Sequence, residues 1–248
     1  MTEWESPMFD IRHHALLDST NAEAKRLAAA GCAHATVIWA DEQTAGRGRF
    51  DRPWHSPPGN LLFSVVLRPP VPSSRAAELG FVAAVVTADC VAGLLPPGDP
   101  VGLKWPNDVQ VDGAKIAGIL PEARSLDGKL DWTVLGVGLN LSHAPTGVPY
   151  PVTSLSLRGV TVTPEQGLQA FLAHLRPWLA RWEADGFSVV RAAWLAYARG
   201  LGTEVAVNLG ATQLRGIFRD LDTDGAMILT SGDGHRRITA GDVAFGGS

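Results

Sequence analysis

Apolar and polar positions change period several times along the chain, and each change marks a different element. Asp18-Ser19-Thr20-Asn21 leads into AEAKRLAAAG. Thr20 and Glu23 have capping-box spacing and Gly31 is a natural stop, so a helix is predicted from about residue 21 to 30. ATVIWA (35–40) and NLLFSVVLR (60–68) are β-branched apolar runs that predict buried strands. Residues 74–95 predict a long helix ended by PPG. Its most apolar run, FVAAVVTADCVAGLL, is too short to span a bilayer and contains Asp89, which predicts a buried helix. VGLKWP (101–106) predicts a strand stopped by Pro106. DVQVDGAKIAGILPEA predicts two strands around an Asp112-Gly113 hairpin turn, and LDWTVLGVGLNL (130–141) a further strand reached by a turn near Asp127-Gly128.

The middle of the chain therefore predicts a mixed sheet with many antiparallel neighbours, without the strict strand–helix alternation of a doubly wound fold. Residues 142–163, rich in Pro, Ser and Thr, predict a surface connection. From 164 to 199 the apolar period becomes helical, and the first of two amphipathic helices is expected to be interrupted at Pro177. After Gly202 short strands alternate with Gly, Asp and Asn turns (DTDG, SGDG), which predicts a small barrel as a second domain.

Composition adds little that is specific. With 248 residues, 46% of them hydrophobic, the chain can bury a real core as one large domain plus a small one. The net charge of −4 makes a generalised nucleic-acid surface a poor fit, so any basic site must be local. Cys32 and Cys90 sit in helical, Ala-rich contexts and read as buried thiols in a reducing cytoplasm rather than as a bridge or a metal pair. MTEWESPMFDIRHH lacks the apolar core of a signal peptide.

The charge is concentrated in QTAGRGRFDRPWHS (43–56). Gly46 and Gly48 let backbone N–H groups approach a ligand, Arg47, Arg49 and Arg52 supply planar forks for carboxylate or phosphate oxygens, and Trp54 offers a flat face for a purine. Composition alone leaves two readings: a site for an anionic, nucleotide-like ligand, or an ordinary exposed basic loop. Walker, GxGxxG, HExxH, paired CxxC and GxSxG patterns are absent from the sequence. KWPND (104–108) ends a strand with a charge, an aromatic, a turn and a carboxylate. KIAGILPE (115–122) opens an apolar strand on a lysine, and strict alternation puts Lys115, Ala117 and Ile119 on one face. Lys115 is then either a snorkelling edge residue or a charge aimed at a ligand, and Asp108 either a turn carboxylate or a reactive one.

Taken in chain order, DSTN (18–21), QTAGRGR (43–49), KWPND (104–108), KIAGIL (115–120) and GVGLN (136–140) resemble the biotin protein ligases over nearly the whole chain. The resemblance implies an α+β protein: a mixed-sheet catalytic domain of the biotin/lipoate ligase type over 1–200 with helices packed on it, and a small C-terminal barrel of the Src-homology-3-like type over 201–248. It implies a two-step reaction in which biotin and ATP form biotinyl-5′-AMP and pyrophosphate, with Mg²⁺ on the phosphates. A lysine of a biotin carboxyl carrier protein or domain of a biotin-dependent carboxylase then takes the biotin. By the same resemblance Lys115, Arg47, Arg49 and Asp108 are the catalytic candidates. Ser19, Thr20, Asn21, Gln43, Gly46, Gly118 and Gly136, with Arg47, Arg49 and Lys115, would border biotin. Arg49, Arg52, Trp54, Lys104, Asn107, Lys115, Gly138 and Asn140 would border ATP or the adenylate, Trp54 by stacking and Asn140 by hydrogen bonding to adenine. No protein metal ligands are implied.

Two positions depart from the family pattern. Asp51 stands where many relatives carry glycine, with Arg52 as its expected partner, and Pro121 replaces a branched aliphatic residue, which suits a strand edge or the end of pairing. Only about eighteen residues precede DSTN, too few for the winged DNA reader of some relatives, so no DNA binding is expected. No membrane role is expected, and a homodimer is compatible with the sequence. The competing readings are a lipoate or octanoate transferase and a non-catalytic biotin-binding module.

Overall fold

The computed structural model describes residues 9–55, 57–210, 212–232 and 234–245. The first eight and last three residues, and with them the ends of the two expected domains and most of the N-terminal stretch, lie outside it. A seven-stranded sheet is built from β1 (Asp10–Leu17), β2 (Thr36–Gln43), β3 (Leu61–Leu67), β4 (Val101–Lys104), β5 (Asp108–Val111), β6 (Ala114–Leu126) and β7 (Lys129–Leu139) in the order β1-β2-β3-β7-β6-β5-β4. Only β1 and β2 pair in parallel, joined by the crossover helix α1 (Thr20–Ala29). β1 is a strand the hydrophobic pattern did not predict. Its burial pattern is almost wholly exposed, so DIRHHALL carries no apolar alternation to read.

The two hairpin turns are as expected: Asp112 and Gly113 (φ 50 and 80) and Asp127 and Gly128 (φ 49 and 75) each take the left-handed pair that tight hairpins need. β3 lies mid-sheet with all seven residues buried, because helices cover both faces. On one face Phe63, Val65, Leu135 and Val137 pack against α2 (Ala76–Leu94), α3 (Pro164–Asp185) and α4 (Phe187–Tyr197). On the other, Ile38, Val66 and Val134 pack against Ala24 and Ala28 of α1. The apolar α2 is long and apolar enough to cross a membrane, but it forms the middle of this core, as the buried-helix reading expected.

Three local expectations are corrected. Ser19, not Thr20, caps α1: its Oγ accepts from the Ala22 N–H, and Glu23 turns to Arg26 instead. The α3 helix runs unbroken through Pro177, because Leu175, Trp178, Leu179 and Trp182 anchor both halves to the core while Pro177 and Ala173 stay on the solvent side. The 142–163 connection is not all surface. Thr153, Ser154 and Leu155 are buried, and Lys115 exchanges backbone hydrogen bonds with Pro151 and Thr153.

The C-terminal strands β8 (Glu204–Asn208), β9 (Gln213–Leu221), β10 (Met227–Ser231), β11 (Gly234–Ile238) and β12 (Asp242–Phe245) form an antiparallel sheet ordered β11-β10-β9-β8-β12. Its apolar side joins the main core through Phe218, 6.4 Å from Trp194. The Trp105 Nε1–H donates to the Gly225 carbonyl at 3.1 Å, and a Cβ on Gly225 would meet Phe81 at 2.2 Å. These contacts press the two sheets together on the side where the cations gather.

One titratable group in the fold has a stability consequence. Burial beside Arg68 pushes His34 down from 6.5 to about 4, and its Nδ1 accepts the Arg68 N–H at 3.1 Å. The unfolded chain therefore binds this proton more readily than the folded one. The stability His34 contributes is fully present above about pH 6.5 and is lost as pH falls towards 4. After discounting for its partial exposure, the loss is about 1–2 kcal/mol. Urea unfolding at pH 7 and pH 4.5 checks this: the drop is expected to be smaller by that amount in His34→Gln. Asp18, held down at about 2 by Arg26, titrates in a lower window and leaves the comparison clean.

Candidate active site

On the α1 side of the sheet, register aligns three glycines. Gly138 pairs with Gly118 on one side and Leu62 on the other, and Gly136 pairs with Leu120 and Ser64. One residue pair further along, Val66 and Val134 are covered by α1. The face is therefore apolar and covered where the helix lies, and bare backbone just beyond its N-terminus. The arginine loop closes over this bare patch and leaves a cavity of about 160 Å³.

One end of the cavity is polar and uncharged. The Thr20 N–H and Oγ1 both donate to Gln43 Oε1, at 2.7 and 3.1 Å. Ser64 Oγ donates to Asn21 Oδ1 at 2.6 Å and lies 2.9 Å from Thr20 Oγ1. The Asn21 amide donates to the Leu120 carbonyl and to Glu122, which Lys25 holds in turn at 2.6 Å. The sheet leaves no room for a side chain here, since a Cβ on Gly136 would lie 1.9 Å from Asn21 Oδ1.

The other end is cationic. Lys104 and Asp108 close the β4–β5 hairpin as a register pair, and Asn107 fastens its turn to β6 through the Ile119 backbone. Lys115 meets Asp108 at 2.7 Å, both largely buried, with its ammonium 5.4 Å from the Trp54 ring and 5.8 Å from the Tyr150 ring. The strict-alternation reading of β6 fails here. A bulge opposite Val109/Gln110 shifts the register, so Lys115 joins Gly118 on the cavity face while Ala117 and Ile119 turn into the core. Trp54 lies flat along the floor, where a Cβ on Gly138 would meet it at 2.4 Å and one on Gly118 at 3.0 Å.

Arg49 is mostly buried and reaches Asn107 Oδ1 (3.4 Å), the Gly241 carbonyl (3.2 Å) and Asp242 (3.5 Å). Arg52 pairs with Asp242 too. Asp51 pairs with Arg47 at 3.6 Å, which corrects the expected Asp51–Arg52 contact. Phe50 and Asp51 have φ of 56 and 54, the left-handed region, which explains why glycine suits position 51 and why a short polar side chain tolerates it. Pro121 lies past Gly118, where β5 has ended and β6 has one open edge, as its chemistry requires.

Burial lowers the pKa of the Lys104 ammonium, with Asp108 opposing and Lys115 adding to the shift. Burial also lowers that of Arg49, against the pull of Asp242 and Asp108. Both shifts mark cations stripped of water and short of compensating charge, a condition an anionic ligand relieves.

Of the residues singled out by sequence, Ser19, Thr20, Asn21, Gln43, Arg47, Arg49, Arg52, Trp54, Lys104, Asn107, Asp108, Lys115, Gly118, Gly136 and Gly138 all line this one cavity. Two do not. Asn140 is 3% exposed and donates its side-chain amide to the Thr153 carbonyl, so it stands behind the cavity wall rather than on it. Gly46 is buried behind the loop, where its carbonyl accepts the Trp54 N–H. Sequence reasoning missed Ser64, Tyr150 and Asp242. Ser64 left a signal, as the single polar residue of LLFSVVL, whereas Tyr150 and Asp242 reach the cavity from distant segments that carry no motif.

Known proteins repeat this architecture. The Biotin/lipoate A/B protein ligase family model matches residues 14–140, and the Biotin protein ligase C terminal domain matches residues 200–246. A biotin–[acetyl-CoA-carboxylase] ligase of Paracoccus denitrificans is 40% identical, covering 93% of this chain and 98% of its own. One from Mycobacterium tuberculosis is 36% identical, covering 91% and 85%. The biotin protein ligase of Aquifex aeolicus, solved with biotin and ATP, superposes with a TM-score of 0.80 at 26% identity, covering 96% of this chain and 98% of its own. The chain belongs to the biotin/lipoate A/B protein ligase family and carries the biotin protein ligase C-terminal domain.

Proposed function

We propose that the protein is an ATP-dependent biotin protein ligase that carries out both half-reactions in the glycine-floored cavity. The observation that carries this reading is the gathering of cations from three separate segments, the 47–52 loop, Lys104 and Lys115, around one site with an uncharged polar end. In the first step a biotin carboxylate oxygen bonds to the α-phosphorus of ATP and the bond to the β-phosphate bridging oxygen breaks, releasing pyrophosphate. Two anions must meet for this, and Arg47, Arg49 and Lys115 supply the compensating field. Ser19, Thr20, Asn21 and Gln43 offer donors and acceptors for a ureido group, and Trp54 a face for adenine. In the second step the amine of a lysine on a carboxyl carrier domain attacks the acyl carbonyl, AMP leaves, and the amine gives up a proton. Asp108 is the cavity carboxylate not held by an arginine, and we assign it that proton.

Mg²⁺ would arrive on the triphosphate. Both cavity carboxylates are ion-paired, and among the described residues no group of three or more His, Cys, Asp or Glu could hold a metal. The ion would bind mainly through phosphate oxygens. The free thiols Cys32 and Cys90 suit a reducing cytoplasm.

The test is biotin-dependent exchange of labelled pyrophosphate into ATP, with lipoate as competitor. Exchange that requires biotin supports the reading, and exchange driven by lipoate instead would replace it. A second expectation concerns the loop. The cavity, at about 160 Å³, is smaller than the roughly 300–1,000 Å³ that small-molecule sites offer, so the loop must open to admit both substrates. Trypsin is expected to cut after Arg47 or Arg49 in the free protein, the Arg52–Pro53 bond being resistant, and biotin plus ATP to suppress the cut. Equal cleavage with and without both substrates would rule out a lid.

A further inference from the structure

Asp242 stands at the start of β12, far in sequence from every other charged residue of the cavity. Its carboxylate bridges Arg49, at 3.5 Å, and Arg52, and the preceding Gly241 carbonyl accepts from the same Arg49 nitrogen at 3.2 Å. Gly241 has φ 151, and a Cβ there would meet Val207 at 2.8 Å, so the backbone is tucked against β8 to present this carbonyl and carboxylate together. The result is one carboxylate held between two guanidiniums, Oδ1 facing Arg49 and Oδ2 facing Arg52, a place that phosphate oxygens could take.

A fixed negative charge in a cavity that must gather anions works against the reaction unless it can be displaced. Two features make it displaceable. The Arg52 side chain is 64% exposed, so its share of the pairing is screened and weak, and Arg49 has other acceptors to hold it if the carboxylate withdraws. A triphosphate offers more charge and more oxygens than one carboxylate.

We infer that Asp242 is a resident stand-in for nucleotide phosphate. It holds Arg49 and Arg52 in a fork, ties the loop to the C-terminal sheet while no nucleotide is bound, yields the fork to the triphosphate, and competes for it again when pyrophosphate leaves. In this role the C-terminal sheet is part of the nucleotide gate rather than only a support. The inference deepens the ligase reading and rests on it for the identity of the anion.

The experiment uses the full chain without biotin or ATP, and inorganic pyrophosphate as the probe. Calorimetry at low salt is expected to show Asp242→Asn binding pyrophosphate about 5–10-fold more tightly than wild type, since one competing charge is gone. Hydrogen exchange of the amides between Gly46 and Trp54 is expected to speed up in the ligand-free variant, and Asp242→Glu to behave as wild type in both. A merely structural residue would weaken pyrophosphate binding on removal, not strengthen it. Unchanged or weaker pyrophosphate binding in Asp242→Asn, or unchanged loop exchange, overturns the stand-in. Biotin-dependent exchange by the wild type, run alongside, separates the two claims. Normal exchange with no Asp242 effect removes only the stand-in. No exchange with the Asp242 effect present removes the ligase reading and keeps an anion gate.

Discussion

Replacing Lys115 with alanine is expected to slow biotin-dependent pyrophosphate exchange by about 10²–10³-fold, the cost of removing a preorganised charge from a site where charge must be neutralised. The expectation follows from position. Lys115 is largely buried, on the cavity face by virtue of the β6 bulge, and backed by two aromatic rings. The substitution also leaves Asp108 buried without its partner, a destabilising state in its own right. Pairing the change with Asp108→Asn separates the two effects. The double variant is expected to recover stability in urea but not exchange. Exchange that returns in the double variant, or that survives in Lys115→Ala, would mean the ammonium serves only to neutralise Asp108.

Gly136→Ala is expected to lower biotin affinity about 10–100-fold and stability by about 1–3 kcal/mol, the range of overpacking penalties. The added carbon would sit 1.9 Å from Asn21 Oδ1. Asn21 cannot step aside cheaply, since Ser64, the Leu120 carbonyl and Glu122 all hold it at the first turn of α1. Relief must come from moving the helix start, which carries Thr20 with it. Gly128→Ala is the control. It sits in a turn at φ 75 with open space around a Cβ, so it is expected to cost about 1–2 kcal/mol of stability and leave biotin affinity unchanged. Calorimetric titration with biotin decides. Wild-type affinity in Gly136→Ala would mean the polar end of the cavity is not where biotin binds.

How far the sequence reaches into this structure depends on the range of the forces involved. Elements set by neighbouring residues were legible. The Asp-Gly hairpins need only their own two residues, α2 needs only a long apolar run, and the arginine loop, KWPND and KIAGIL announce charge beside backbone freedom. What was not legible is set across the fold. β1 is held by its pairing with β2 and hides in a polar edge. The bulge that turns Lys115 outward is a register event between two strands, invisible to alternation along one. The resemblance placed Asn140 at adenine, and no local pattern announces that its amide donates to the Thr153 carbonyl from a distant segment. Asp242 reaches the arginines only because Phe218, Trp194 and the Trp105–Gly225 hydrogen bond press the second sheet against the first.

The central claim is that side chains from distant segments act together on one phosphoryl group. A double-mutant cycle on Arg49→Ala and Lys115→Ala, read by biotin-dependent pyrophosphate exchange, tests it most directly. If both charges act on the same group, the first loss removes much of what the second would cost, and the double variant is expected to be faster than the product of the two single losses by about tenfold or more. Losses that simply multiply, or exchange that persists undiminished in both single variants, would show that the two cations do not meet on one phosphate.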